Sequence, residues 1–435
     1  MKHASLVVVL ALSACAAVPE LTGPVTAIPA AEFQRADAPV WRMDFGDAGL
    51  RTMLAQADAQ GLDVAAARAR FRAADLTLAS VGRGVTTTAD ARMDRAGGRL
   101  DGAISWEPDL AGRFDAALQS AGLERAASGM DLLIARRTVA REVAQGWVSL
   151  IESRIAAARI NTDIATETRA LTLIRARHAA GESTGADLAA REQALIRLRA
   201  DAAGASGRVA LAESRLRALG VQTIPSGASL KSARRPAPPA RTDLGATGAA
   251  PGVCAAWLRF RAADASRAET LAAARPRVVV TSSIEAAAKT LAGLVAGNAA
   301  AVTHSVRVEG ALIDAGQTRQ RVDQARLSVA QAEIDWLRAR SQAEIAALEA
   351  VVAQHTAEGA LSAALSAWQS AQAEQTRTRA RLDAGLADGV EMAESDRAVA
   401  AAQRDIDAAR ADAFRAAAAL HDALPPPVAG CGPAL

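Results

Sequence analysis

Hydrophobic and polar positions follow two periods along this chain, and the periods alternate in the same order twice. From Trp41 to Leu78, Leu50, Leu54, Leu62 and Val64 recur at helical spacing before a run of Ala-rich turns. From Ser80 to Trp106 the period drops to two. Val85-Thr86-Thr87-Thr88 favours β structure, Ala96-Gly97-Gly98 reads as a turn, and Leu100, Gly102, Ile104 and Trp106 alternate with Asp101, Ala103 and Ser105. This predicts a strand hairpin within 80–107. A helical run follows Pro108 to about Ala180, is interrupted at Gly181-Glu-Ser-Thr-Gly185, and returns from Asp187 to about Leu219. Residues 221–254 are rich in Pro, Gly, Ser and Ala and read as a connector. The order then recurs. A short helix is predicted over Ala255–Ala274 and a strand over Arg277–Thr281, with a loop over Leu294–Ala300. Val306, Val308, Gly310 and Leu312 alternate as a second strand, giving a hairpin within 277–312. A second long helix follows Gly316, breaks at Gly385–Gly389 and returns from Val390 to about Leu424. Val322, Val329 and Trp336 recur every seven residues on it, as along a coiled-coil seam.

The recurrence is an internal duplication. Gly112 and Gly316 are 204 positions apart, and so are Gly181 and Gly385. Neither long interval contains a proline, which would break a helix: none lies between Pro108 and Pro225, or between Pro276 and Pro425. At 1.5 Å per residue each long helix spans on the order of 100 Å, far beyond an ordinary globular helix. The two hairpins supply four strands, and an isolated four-stranded sheet has exposed edges. A lipid-exposed sheet cannot have edges, so closure needs several copies of the chain.

Composition narrows the class. Hydrophobic residues make up 51% of the 435, but aromatics are only 3% and tyrosine is absent. That suits thin, close-packed helices better than a thick aromatic core. The net charge of +3 arises from 50 basic and 47 acidic residues that are interleaved. A nucleic-acid surface would need basic patches and stacking aromatics, so nucleic acid is not an expected partner. No Walker A sequence, H-E-x-x-H pair or clustered metal set is present; no catalytic residue, cofactor or metal is expected. His178, His304, His355 and His421 are scattered and read as surface residues.

The N-terminus reads as a targeting segment. Lys2 and His3 precede an apolar run, Ala4–Leu12, too short to span a bilayer. Leu12-Ser13-Ala14-Cys15 resembles a bacterial lipobox, which implies removal of residues 1–14, lipidation of Cys15 and, with Ala16 following, outer-membrane retention. Residues 15–40 hold prolines and read as an extended arm, and 425–435 as a C-terminal tail. Two cysteines remain, Cys254 and Cys431; in an exported chain they form either a disulfide or two separate thiols.

Several segments together resemble the TolC-like outer-membrane factors, in the lipoprotein branch that serves drug-efflux pumps. They are Trp41-Arg-Met-Asp-Phe-Gly-Asp47 with Leu50 and Leu54, Ser105-Trp-Glu-Pro-Asp-Leu-Ala-Gly-Arg113, and Ala311-Leu-Ile-Asp-Ala-Gly-Gln317. The two tips complete the set, Arg177-His-Ala-Ala-Gly181 with Gly185-Ala-Asp187, and Arg381-Leu-Asp-Ala-Gly385 with Gly389-Val-Glu391. The resemblance implies a mainly α chain with a small β part. Trimerisation would complete a long helical coiled-coil barrel through the periplasm and a 12-stranded transmembrane barrel in the outer membrane. It implies a passive exit duct for small molecules, working with a periplasmic adaptor and an inner-membrane transporter. A protein-secretion or metal-export channel, and a pore-free periplasmic coiled-coil lipoprotein, are the alternatives; only the last has no use for strand hairpins. The tip glycines Gly181, Gly185, Gly385 and Gly389 are implied adaptor contacts. Glu391 and Glu394, one turn apart, with Asp187 at the matching repeat position, are implied gate acids. The bland alternative is a solvated helix start, where acids favour the positive end of the helix dipole. The barrel strands carry almost no aromatic belt.

Overall fold

The computed structural model describes residues 46–424, apart from 83, 95–96, 228–229, 231–232, 234–243, 289–299, 311–313 and 388. Cys15, Cys431, the N-terminal arm and the C-terminal tail lie outside the described residues. The first half runs α1 (Ala48–Gln60), α2 (Leu62–Ser80), β1 (Val85–Asp94), β2 (Gly97–Trp106), α3 (Arg113–Ala179) and α4 (Gly185–Ala218). After a 3-10 turn over Leu244–Ala249, the second half runs α5 (Pro251–Ala273), β3 (Arg277–Ala288), β4 (Ala300–Glu309), α6 (Gln317–Asp383) and α7 (Gly389–Ala423). Among the described residues the chain is mainly helical, with a small four-stranded antiparallel sheet. Helices α3 and α6 are both 67 residues long and coincide at both ends under the 204-residue shift.

Several boundaries differ from the sequence expectation. The first helical block is two helices, split at Gly61, whose extended backbone packs on Gly220. A Cβ on Gly61 would sit 2.5 Å from the Ala57 carbonyl, and Gly220 has φ +94° with a Cβ position 2.8 Å from Gly61 N. Only glycine fits this contact at both positions. Helix α5 starts at Pro251, four residues earlier than Ala255, because proline suits the first helical turn. Gly97 and Gly98 pair with Asp94 and Met93 and so belong to β2 rather than to a turn. β3 runs on to Ala288, and β4 covers Ala300–Glu309 rather than 306–312; its alanine-rich start gives no alternation to read, and pairing with β3 decides it.

Long helices bury different amounts of their circumference along their length. The middle of α3 is enclosed on several sides. Val143, Trp147, Val148 and Ile151 pack with Leu50 and Met53 of α1, Leu216 of α4 and Phe414 of α7. Trp147 and Phe414 meet edge to face at 6.3 Å. Above this waist Leu123, Ala127 and Met130 pack on Ala255, Leu258 and Ala262 of α5. Below it, α3 and α4 are held by ion pairs such as Arg175–Glu192 and Arg191–Glu167. α6 shows one sheltered stripe from end to end. Val322, Ala325, Val329, Ala332, Trp336 and Ala339 shelter in steps of three and four. The same rhythm resumes from Ala347 through Ala350, Gln354, Ala357 and Leu361. Between Ala339 and Ala347, through Ala343, two steps of four follow each other. That is a stutter, which locally unwinds a seven-residue supercoil. It falls where α6 changes partner. Trp336 packs on Trp257 of α5, 5.0 Å between ring centroids, whereas Ala347 and Ala350 pack on Leu420 and Leu424 at the end of α7.

Candidate functional site

The sheet order is β1-β2-β3-β4, all antiparallel, with β1 and β4 at open edges. Register sorts its side chains into two unlike faces. Val85 pairs with Trp106, Trp106 with Val280 and Val280 with Val306, so these lie in one row of one face. Ile104, Ile284, Val302 and Val308 share that face. Val306 and Val308 are 69% and 72% exposed, as no protein covers them. The opposite face carries Thr86, Thr88, Ser105, Thr281, Ser283, Thr303 and Ser305, with Asp90, Asp101, Glu285 and Arg307. Ser105 and Thr281 hydrogen-bond across strands at 3.0 Å. The face of Trp106 is mainly apolar, with Thr87, Ser282 and His304 in one row across it, and the other face is mainly polar apart from Val279; this is broadly the pattern of a strand between lipid and a wet lumen. Among the described residues no helix is long and apolar enough to cross a membrane.

A second unpartnered surface lies on α6. Leu327, Ile334, Leu337, Ile345, Leu348 and Val352 are exposed large hydrophobics. They repeat with heptad-like steps and shift at the same stutter as the sheltered stripe, so they form a second apolar seam beside the first. A helix with two such seams can pack sideways on two neighbours, which is how helices form a sheet-like wall rather than a pair.

Both long hairpins turn with one device. Gly181 (φ +75°) and Gly385 (φ +72°) end α3 and α6 in the left-handed conformation. Glu182 N donates to Arg177 O at 2.8 Å and Gly181 N to His178 O at 3.0 Å; Leu386 N donates to Arg381 O at 2.7 Å and Gly385 N to Leu382 O at 2.9 Å. These are matching Schellman caps, and glycine is needed for the positive φ. The tips differ in their side chains. At the first, His178 Nδ1 lies 2.9 Å from Ser183 O; at the second, Leu386 is 71% exposed.

The three implied gate acids have distinct settings. Asp187 is the N3 member of a capping box: it accepts from Thr184 N at 3.0 Å and Thr184 Oγ1 at 2.6 Å, while Asp187 N donates back to Thr184 Oγ1. Those bonds hold its carboxyl below the usual aspartate value. Glu391, in the first turn of α7, pairs with Arg381 of α6 at 2.9 Å, and Arg381 also donates to Leu386 O at 3.1 Å. Glu394 is exposed one turn on. The Arg381–Glu391 pair had no signal in the sequence, since ten residues across a turn fit neither helical nor strand periodicity. Gly185 begins α4, and Gly389 begins α7.

Just above the waist, Cys254 is buried and disulfide-bonded. Near it, Arg137 donates to the His421 and Asp422 carbonyls at 2.8 and 3.2 Å and faces the Asp422 carboxylate at 3.5 Å. Burial lowers the Arg137 pKa, and Asp422 opposes the shift. Among the described residues, no group of three or more His, Cys, Asp or Glu side chains is placed to hold a metal ion.

No family model and no curated protein matches the sequence. Solved structures do match. The Campylobacter jejuni CmeC outer membrane channel aligns with a TM-score of 0.76 at 15% identity, over 89% of this chain and 87% of that one. The open state of the Neisseria gonorrhoeae MtrE outer membrane channel gives 0.73 at 17% identity, over 86% and 88%. CusC, described for its transmembrane channel formation, gives 0.73 at 18%, over 88% and 94%. The chain therefore has the fold of a TolC-like outer-membrane factor.

Proposed function

We propose that this chain is the outer-membrane channel subunit of a tripartite efflux system, a passive trimeric duct for small molecules. The observation that carries this reading is the two-faced sheet whose two edge strands pair with no further strand among the described residues. Edge pairing of β4 with the β1 of a neighbour extends the apolar face into a lipid-facing band and encloses the polar face. Three copies give 12 strands. The second apolar seam of α6 supplies the matching contact along the helices. Substrate moves through the water-filled path without bond chemistry, and direction comes from an inner-membrane transporter through a periplasmic adaptor docked at the tips. A pore-free coiled-coil rod has no role for such a sheet. The test is a planar bilayer recording on detergent-purified protein together with its mass by light scattering. A trimer with discrete conductance steps supports the duct; a monomer without conductance overturns it.

Two anchoring and gating roles belong to the same proposal. Cys15 carries the lipid that holds the mature chain at the inner leaflet of the outer membrane; palmitate label retained in Cys15→Ser would reject this. Glu391 and Glu394, repeated three times around the axis, form carboxylate rings at the periplasmic end, and such rings favour cations.

A further inference from the structure

We propose that the flank formed by α2 and α4 receives the exposed seam of α6 from a second copy of this chain. The inference rests on the trimeric duct proposed above and names the two surfaces that join its subunits. Above the waist the helices lie side by side in the order α2, α3, α5, α6, and below it in the order α4, α3, α7, α6. α6 closes one end of each row. α2 and α4, which meet end on where Gly220 touches Gly61, close the other. The sheet agrees, since its edge strand β1 follows α2 and its edge strand β4 leads into α6.

Three observations match the two flanks. First, each carries a second stripe nearly opposite the one that faces its own chain. α2 shelters Val64, Ala67, Phe71, Ala74 and Leu78 and leaves Leu62, Ala65, Ala69 and Leu76 open. Leu62 and Leu76 are 78% and 71% exposed. α4 shelters Leu188, Leu195, Ala202, Val209 and Leu216 and leaves Ala189, Ile196, Ala203, Gly207 and Ala210 open. Secondly, the angle fits. At about 3.5 residues per turn, the sheltered and open stripes of α2, α4 and α6 all stand about 150° apart. A helix between two neighbours in a closed ring has its contacts about that far apart when the ring holds roughly twelve helices. Each copy supplies four at either level, so three copies close it. Thirdly, the residues match at equal height. Arg125 of α3 pairs with Asp75 of α2, and the 204-residue shift makes Val329 the α6 equivalent of Arg125. Leu76 therefore stands level with Leu327, and Ala69 with Ile334, so a small residue faces a large one at the second step. Arg72 of α2 and Glu333 of α6 are exposed, make no ion pair among the described residues, and fall within a turn of the same height.

Cross-linking of the full-length purified protein decides the matter. Leu76→Cys with Leu327→Cys, treated with a short bis-maleimide, is expected to run as covalent dimers and trimers on a denaturing, reducing gel. Leu76→Cys with Leu348→Cys, about 30 Å out of step, is expected to stay monomeric on that gel, as is each single variant. Should the first pair fail to accumulate, Ala69→Cys with Ile334→Cys asks the same question. A trimer by light scattering that gives no covalent ladder from either matched pair, or an equal ladder from the offset pair, overturns the flank assignment and leaves the duct standing. A monomer by light scattering overturns the duct and the assignment together.

Discussion

Glu391 and Glu394 lie one helical turn apart at the start of α7, and their charges are answered differently. Arg381 stands 2.9 Å from Glu391, while Glu394 makes no such pair among the described residues. A cation beside a ring carboxylate offsets part of the field it casts into a pore. Glu394→Gln is therefore expected to move the reversal potential in a salt gradient toward non-selective more than Glu391→Gln does. An equal or reversed order would place Glu394 outside the conducting path. Asp187 invites a different test. Its depressed pKa, like that of Asp314, which accepts from Gly316 N and Thr318 N, means the folded state favours the ionised form. Stability from such a group is present above the ordinary carboxylate value near 4 and is lost as pH falls through the lower folded value. Amide protection around 184–188 should thus be flat through neutral pH and fall only in strong acid. Thr184→Ala should weaken it at every pH and raise the pH at which it fails. The Thr-x-x-Asp spacing of this capping box was open to view in the sequence. The Arg381–Glu391 pair was not, because it depends on how the tip folds back.

Helices and sheet carry their own expectations. Replacing Leu337 and Leu348 with Glu strikes the exposed seam of α6 without touching its sheltered one. The protomer should keep its helical circular dichroism while light scattering reports monomers; a persistent trimer would show that the seam faces solvent. Val306→Arg places a charge on the apolar face of β4, where a midplane position costs about 2–4 kcal/mol, and Thr303→Arg on the polar face should be far milder. Heat-modifiable gel mobility of membrane-inserted protein reads the difference. Trp147→Ala at the waist should destabilise by about 3–5 kcal/mol, measured by thermal unfolding, since a fully buried indole and its contact with Phe414 are both lost. The long helices and their glycine tips were legible from absent prolines and from Gly181 and Gly385. The Gly61 break was not, because a single glycine inside a helical pattern is tolerated and its tight contact with Gly220 is tertiary. The extent of β3 and β4 was hidden for a related reason: Ala286–Ala288 and Ala300–Ala301 suit helix as well as strand.

At the scale of the molecule, stability is uneven. The waist gathers the large buried side chains, and the hairpins beyond it rest on alanine seams and surface ion pairs worth little each. Reductant should act just above the waist, at Cys254. If the partner of Cys254 is Cys431, the chain-entropy model gives a loop of that length roughly 5 kcal/mol, and the thermal midpoint should then drop by several degrees on reduction. A midpoint indifferent to reductant would mean the bond is dispensable to the fold. The equality of α3 and α6 reaches further. Each hairpin returns on a partner that must meet the same waist, and both outward helices count 67 residues from matched glycines. The length of this rod is consequently a quantised quantity. A lone insertion in one helix would rotate every seam below it and leave one tip standing proud of the other. Only insertions of whole heptads, about 10 Å apiece, made at once in all four arms, would give a longer duct of the same cross-section with level ends.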